Sequence, residues 1–341
     1  MKMQASYTLR TRRNENKMKS RMLISITAIT VLAAVAIPQQ FAAQDNRDDK
    51  QAKIVTFEAP QSGTGLGQGT RALGINPAGA ITGFTRDAST GRHGFLRARD
   101  GAFTMFDAPG AGTGPGQGTR AYSINPGGAI AGWYSDASGV VHGYLRARDG
   151  SFTTFDVPGA GGAGTGPYPG TLASFINPAG EITGDSCDAV TCHGFLRTPD
   201  GTITTFDPPG STLTNGNGIN PAGAITGNDV DAGGVFHGYL RSPDGSFTIF
   251  DAPGAGTAAN QGTGGFGINP AGVITGFYID TNNAMHGFVR AKHGDITTFD
   301  APGAGTGASQ GTEPLANNPA GAVTGFYIDA DNVFHGFLRT P

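Results

Sequence analysis

Short runs of alternating and continuous apolar residues, cut at regular intervals by glycine, proline and aspartate, predict strands and hairpins along residues 54–341. The first full unit shows the plan. Residues 71–75 read as a strand, 76–79 (Asn-Pro-Ala-Gly) as a turn with proline fixing φ, and 80–86 as a second strand. Residues 87–91 form the next turn, 93–98 a third strand, 99–101 another turn and 102–107 a fourth strand. Apolar side chains lie on both sides of these strands, as in Phe95 beside Leu96 and Phe103 with Phe106. Such a sheet needs cover on both faces.

That unit recurs. Asn-Pro-(Ala/Gly)-Gly begins at Asn76, Asn125, Asn177, Asn220, Asn269 and Asn318, a spacing of 43 to 52 residues. A second marker, His-Gly-(Phe/Tyr)-(Leu/Val)-Arg, starts 16 or 17 residues later at His93, His142, His193, His237, His286 and His335. A third, Phe-Asp-x-Pro-Gly, passes through Asp107, Asp156, Asp207, Asp251 and Asp300, and the last unit ends without one. Its counterpart stands at the other end, where residues 54–60 (IVTFEAP) match FTMFDAP at 103–109. A ring closed by pairing its first and last strands needs this permutation, because closure hides strand edges. The expected fold is therefore all-β: a six-bladed β-propeller of four-stranded antiparallel blades over residues 54–341, with 54–60 completing the last blade.

The pattern Ile-Asn-x-x-Gly-x-Ile-x-Gly, then His-small-Phe-Leu, then Asp-Gly-x-(Phe/Ile)-Thr-x-Phe-Asp resembles the extracellular HAF repeat family, named for His-Ala-Phe. This chain carries His-Gly-Phe or His-Gly-Tyr instead. The resemblance spans residues 54–341 and implies an exported repeat protein of unassigned activity, with no catalytic residue to carry over.

The first residues change the setting. Lys2, Arg10, Arg12, Arg13, Lys17, Lys19 and Arg21 precede an apolar run over 22–38, and small residues follow at Ala34, Ala36, Ala42 and Ala43. Residues 1–43 read as a bacterial-type signal peptide and cleavage region, and 44–53 as a short polar linker. Membrane contact would come only through an uncleaved signal, and the repeats lie outside the cytoplasm as secreted, periplasmic or surface material. With 14% charged residues and a net charge of −3, the chain lacks the basic footprint of a nucleic-acid partner.

Recurrence argues for structure and against chemistry. Histidines that open the third strand of six blades form a wide ring and do not meet at one ion, so a structural bond to the local turn is expected of each. Arg97, Arg146, Arg197, Arg241, Arg290 and Arg339 recur likewise, and pairing with a neighbouring aspartate is expected. Asp87, Asp136, Asp188, Asp231, Asp280 and Asp329 open hairpin turns and read as Asx-turns. Asp280-Thr-Asn-Asn and Asp329-Ala-Asp-Asn lack the twelve-residue calcium loop with its terminal glutamate, so no cofactor is called for and calcium is the one ion these turns would admit. The glycine-rich connectors, such as 108–119, carry no Gly-Lys-Ser/Thr and read as coil. Cys187 and Cys192 flank one turn and suit a local disulfide.

The repeat breaks in one place. Where other blades carry Phe84-Thr85, Trp133-Tyr134, Phe277-Tyr278 and Phe326-Tyr327, blades 3 and 4 carry Asp185-Ser186 and Asn228-Asp229, and the connector at 208–217 between them is the shortest. A polar notch on the connector face is expected there, with Asp185, Asn228 and Asp229 binding hydroxyls and Trp133 and Tyr134 stacking on a sugar. The leading functional reading is an exported binding or scaffold module for a glycan, protein or envelope component. The alternatives are an extracytoplasmic hydrolase or lyase acting on carbohydrate or a lactone, and a purely structural surface protein. No nucleophile constellation appears in the sequence, which favours binding over catalysis.

Overall fold

The computed structural model describes residues 54–161, 169–188 and 190–341; the expected signal region and linker lie outside the described residues. Every regular element among them is a strand, and no helix is long and apolar enough to cross a membrane. After β1 (Ile54–Phe57), blade 1 is β2 (Gly69–Ile75), β3 (Ile81–Arg86), β4 (Arg92–Arg97) and β5 (Phe103–Phe106). Blade 2 is β6 (Gly118–Ile124), β7 (Ile130–Ser135), β8 (Val141–Arg146) and β9 (Phe152–Phe155). Blade 3 is β10 (Gly170–Ile176), β11 (Ile182–Cys187), β12 (Cys192–Arg197) and β13 (Ile203–Phe206). Blade 4 is β14 (Leu213–Ile219), β15 (Ile225–Val230), β16 (Phe236–Arg241) and β17 (Phe247–Phe250). Blade 5 is β18 (Gly262–Ile268), β19 (Ile274–Ile279), β20 (Met285–Arg290) and β21 (Ile296–Phe299). Blade 6 is β22 (Gly311–Asn317), β23 (Val323–Ile328) and β24 (Phe334–Arg339), and β1 supplies its fourth strand.

The chain is a β-propeller. Consecutive strands of a blade pair antiparallel, and β1 pairs with β24 from Ile54 opposite Arg339 to Phe57 opposite Gly336. Expected strand ends move by one or two residues, since Gly69 and Thr70 extend the inner strand while the outer strand stops at Phe106. The inner strands β2, β6, β10, β14, β18 and β22 neighbour one another around the ring and are buried almost throughout, whereas the outer strands are half-exposed.

The turn asparagines lock that inner ring. Asn76 donates its side-chain amide to the Asn125 carbonyl, Asn177 to Asn220, Asn269 to Asn318, and Asn318 back to Asn76, at 3.2 to 3.5 Å. The same side chains shape their own turns, as where the Asn76 carboxamide oxygen accepts the Ala80 N–H at 3.0 Å. One residue type thus sets both the hairpin and its neighbour.

The recurrent arginines do something other than expected. Each lies over the outer-strand phenylalanine of the preceding blade: Arg97 over Phe57 at 4.8 Å, Arg146 over Phe106 at 4.6 Å, Arg197 over Phe155 at 4.8 Å. Arg241, Arg290 and Arg339 repeat the contact at 4.9, 4.8 and 5.0 Å. A planar guanidinium covers a ring face better than it pairs with an exposed carboxylate, so the seam takes the cation. The glycine of His-Gly has a matching cause, because a Cβ on Gly94 or Gly194 would meet the Phe106 or Phe206 ring at 2.9 or 2.4 Å.

Candidate functional site

Antiparallel order sends the Asp-opened turns and the connectors to one face of the ring. Each turn aspartate accepts two backbone N–H groups, as Asp87 does from Ser89 and Gly91 at 2.9 Å and Asp231 from Gly233 and Val235 at 2.8 and 2.9 Å. These bonds hold the Asp87 and Asp231 carboxyls below their usual range against the opposing effect of burial. The histidine beside each turn then bridges outward. His93 sits 2.9 Å from Asp107 and 3.4 Å from Asp87; His335 lies 2.8 Å from Glu58 and 2.9 Å from Asp329. His142, His193, His237 and His286 contact Asp156, Asp207, Asp251 and Asp300 in the same way. The clamp ties the third strand to the end of the fourth. Among the described residues no group of three or more His, Cys, Asp or Glu side chains is arranged to hold a metal ion.

Tyrosines prop the connectors from below. Tyr134, Tyr278 and Tyr327 stack on His142, His286 and His335 with ring centroids 5.2, 5.1 and 4.8 Å apart. Their hydroxyls reach beneath Gly110, Gly254 and Gly303, where an added Cβ would meet them at 3.3 to 3.5 Å. Tyr134 and Trp133 are therefore interior residues, 8% and 1% exposed, and Trp133 is stacked on Tyr122 with Arg120 lying over it at 3.9 Å. Neither presents a face to a sugar, contrary to the sequence expectation. Two-sided packing consumes both rings.

The seam between blades 3 and 4 departs from this plan in four ways. Its connector, residues 207–212, is shorter than its counterpart at 107–117. Leu213 replaces the glycine that opens other inner strands with φ of +105° or more, and no parallel bridge joins β12 to β14 where one joins β4 to β6. Pro208 has no N–H to give Thr214, whereas Ala108 donates to Thr119 and Ala252 to Thr263 at 2.8 and 2.9 Å; Thr214 turns to Ser211 instead. Finally Asp229 takes the position that tyrosine holds in three blades, and a Cβ added at Gly210 would meet nothing within 4 Å, as at Gly159 above Ser186.

Asp185 and Asp229 approach this seam from opposite blades. Asp185 Oδ1 accepts the Gly216 N–H at 2.8 Å, and burial pushes its carboxyl up to about 7 against that bond and one from Asn215. Asn215 accepts from Asn228 at 3.1 Å, Asn228 accepts from Asn217 at 3.1 Å, and Asn217 also donates to the Gly265 carbonyl at 2.9 Å. Asn228 is thus spent on a chain of amides that crosses into blade 5. Asp229 differs. It is 6% exposed, its Oδ1 has no hydrogen-bond partner, and burial raises its carboxyl to about 6 while His237 pulls the other way. All three polar residues are buried in the seam, not set on an open notch as expected, because the strands of adjoining blades pack against them.

Cys187 and Cys192 form a disulfide across the β11–β12 hairpin. The closed loop is short, so replacing both by serine is expected to cost about 2 kcal/mol in the chain-entropy picture and lower Tm by a few degrees without altering cooperativity. Calorimetry of the double variant checks this, and a much larger loss would give the bond a wider role than a staple.

No protein-family model matches the chain, and no characterised protein matches it in sequence. Solved structures do. A Bacteroides thetaiotaomicron protein of unknown function aligns with 85% of this chain and 76% of its own at 12% identity and a TM-score of 0.45. The Aleuria aurantia lectin, crystallised with Fucα1-6GlcNAc, aligns over 78% and 90% at 10% identity and a TM-score of 0.48. The β-propeller domain of the Pyrococcus furiosus Trilobed protease aligns over 79% and 95% at 8% identity and a TM-score of 0.39. At such distances none of them informs this chain's activity.

Proposed function

We propose that the chain is an exported propeller of the HAF-repeat type that binds a hydroxyl-rich ligand, a glycan or glycan-bearing envelope component, at the connector face over the seam between blades 3 and 4. One observation carries this reading: the buried Asp229 carboxylate has an acceptor oxygen with no donor, at the position where three other blades hold a tyrosine. A buried acceptor left bare is costly, and a ligand hydroxyl would satisfy it. The disulfide and the basic-then-apolar first residues support export.

Asp229→Tyr installs the residue of three sister blades and provides the test. The variant is expected to fold with wild-type or higher stability and to lose roughly 10- to 100-fold in affinity for any glycan retained by the wild type on an array, the range for losing a charged hydrogen bond. Unchanged glycan binding by a folded Asp229→Tyr would remove the site. A second reading, hydrolysis or elimination on a carbohydrate or lactone, is favoured by the lift of both seam carboxyls toward neutral pH, where one can serve as acid and one as base. Product release from the retained glycan separates the two.

A further inference from the structure

The ring of innermost positions nearest the connectors is uneven in charge. Reading β2, β6, β10, β14, β18 and β22 at their common register, it runs Arg71, Arg120, Leu172, Asn215, Gly264 and Glu313. Arg71 lies flat on Phe334 at 3.8 Å, with Phe326 and Phe84 at 5.1 and 5.5 Å, and Arg120 approaches Phe84 from the other seam at 5.2 Å. Two guanidiniums therefore share one ring.

Arg71 is 6% exposed, its Nε has no hydrogen-bond partner, and no carboxylate lies within ion-pair distance of it among the described residues. Burial first, then Arg86 and Arg120, draws its guanidinium down to about 9, while Glu313 opposes them. Glu313 is itself pushed up to about 7 by burial, so near neutral pH it offsets only part of the positive charge. Aromatic contact recovers a fraction of what burying a guanidinium costs; a bidentate carboxylate recovers far more.

We infer that the connector-face end of the propeller axis, at Arg71 beside Arg120, is a carboxylate-binding site for an acidic ligand. The site is independent of the seam between blades 3 and 4. It would admit the carboxylate of a uronic acid or of a simple organic acid, and recognition rests on the anion that both share.

The test is calorimetric titration of the folded chain at pH 6 and fixed ionic strength with galacturonate, acetate and galactose. Galacturonate is expected to bind at least tenfold more tightly than galactose, and Arg71→Met is expected to erase that difference. Acetate binding as well as galacturonate would make the anion the whole ligand; acetate binding weakly would add the sugar, and either supports the site. Equal affinity for galactose and galacturonate, no binding of either acid, or a folded Arg71→Met that keeps the preference would overturn it. Should Arg71→Met fail to fold, Glu313→Gln serves instead, titrated at pH 8 where the Glu313 carboxyl is ionised: removal of the competing carboxylate is expected to tighten galacturonate at least threefold, and unchanged or weaker binding overturns the site. Asp229→Tyr must leave galacturonate binding intact, which keeps failure here apart from failure of the blade 3–4 reading.

Discussion

A chain that begins after residue 60 is expected to lose its cooperative thermal transition and to aggregate, although it would lack only one short strand of the ring. That strand makes four pairings with β24, and its edge would otherwise stand open to another chain. Phe57 packs 6.2 Å from Phe103 and carries Arg97 above it, so the seam into blade 1 would lose both its ring and its cation. Glu58 holds His335 at 2.8 Å and Thr70 at 2.8 Å, and Ala59 donates to Thr70 at 2.9 Å. Phe57 is partly buried, so its loss alone costs less than the ~3–5 kcal/mol of a core phenylalanine, but together with these pairings and bonds it takes a large share of the roughly 5–15 kcal/mol that holds a domain together. Size-exclusion chromatography and a melting curve decide the point. A soluble monomer melting at the wild-type temperature would mean that the ring does not depend on the permuted strand.

Asp185→Asn is expected to stabilise the fold at pH 8, by on the order of 3 kcal/mol, and to leave it nearly unchanged at pH 4. Burial raises this carboxyl from its usual range to about 7, so the folded chain holds the proton that the unfolded chain releases. The stabilisation is fully present below the unfolded value near 4 and is lost as pH climbs through about 7. Asparagine stays neutral across that window and keeps an oxygen for the Gly216 N–H. Asp229 and Glu313, raised to about 6 and about 7, push wild-type stability the same way. His93, His237 and His335 add to it, because burial works against protonation but their carboxylate neighbours raise them; their contribution is complete below about 6.5 and fades above their folded values. Turn aspartates such as Asp87 and Asp231, held low, act at the other end and are lost only as pH falls below about 4. Wild-type stability should therefore peak near pH 4 and fall steadily as pH rises toward about 7. Urea midpoints across pH 4 to 8 measure this; a flat wild-type profile, or an Asp185→Asn that is weaker at pH 8, would contradict the assignment.

The blade plan was legible because its turns are written in residues with single conformational meanings. Asn-Pro-x-Gly and the Asx-forming aspartates fix hairpin ends, and the displaced IVTFEAP at 54–60 points to closure by pairing with the last strand. What lay between blades was harder to read. Arg97 recurs with the histidine in every unit, yet its partner is Phe57, one blade back, and recurrence alone does not give the phase between neighbours. The break at Asp185 and Asp229 was visible as a departure from the aromatic pair, but not their burial, which depends on how one blade is laid against the next. Trp133 and Tyr134 misled for the same reason: an aromatic pair near a turn looks like a platform until the next blade is laid against it. Arg71 and Glu313 gave no sequence signal of their own, since arginine stands at that position in two repeats and glutamate in one, and only the register of the inner strands brings them to one level.

Ring closure also has a kinetic side. Glu58 meets His335 across 277 positions of chain. The five internal blades can each assemble from local hairpins, but the first strand has no mate until the last residues have been made. Contacts of such span are slow to form. For that interval two unpaired strands are open to neighbouring molecules, so the hazard of intermolecular capture falls at the end of folding and grows with concentration.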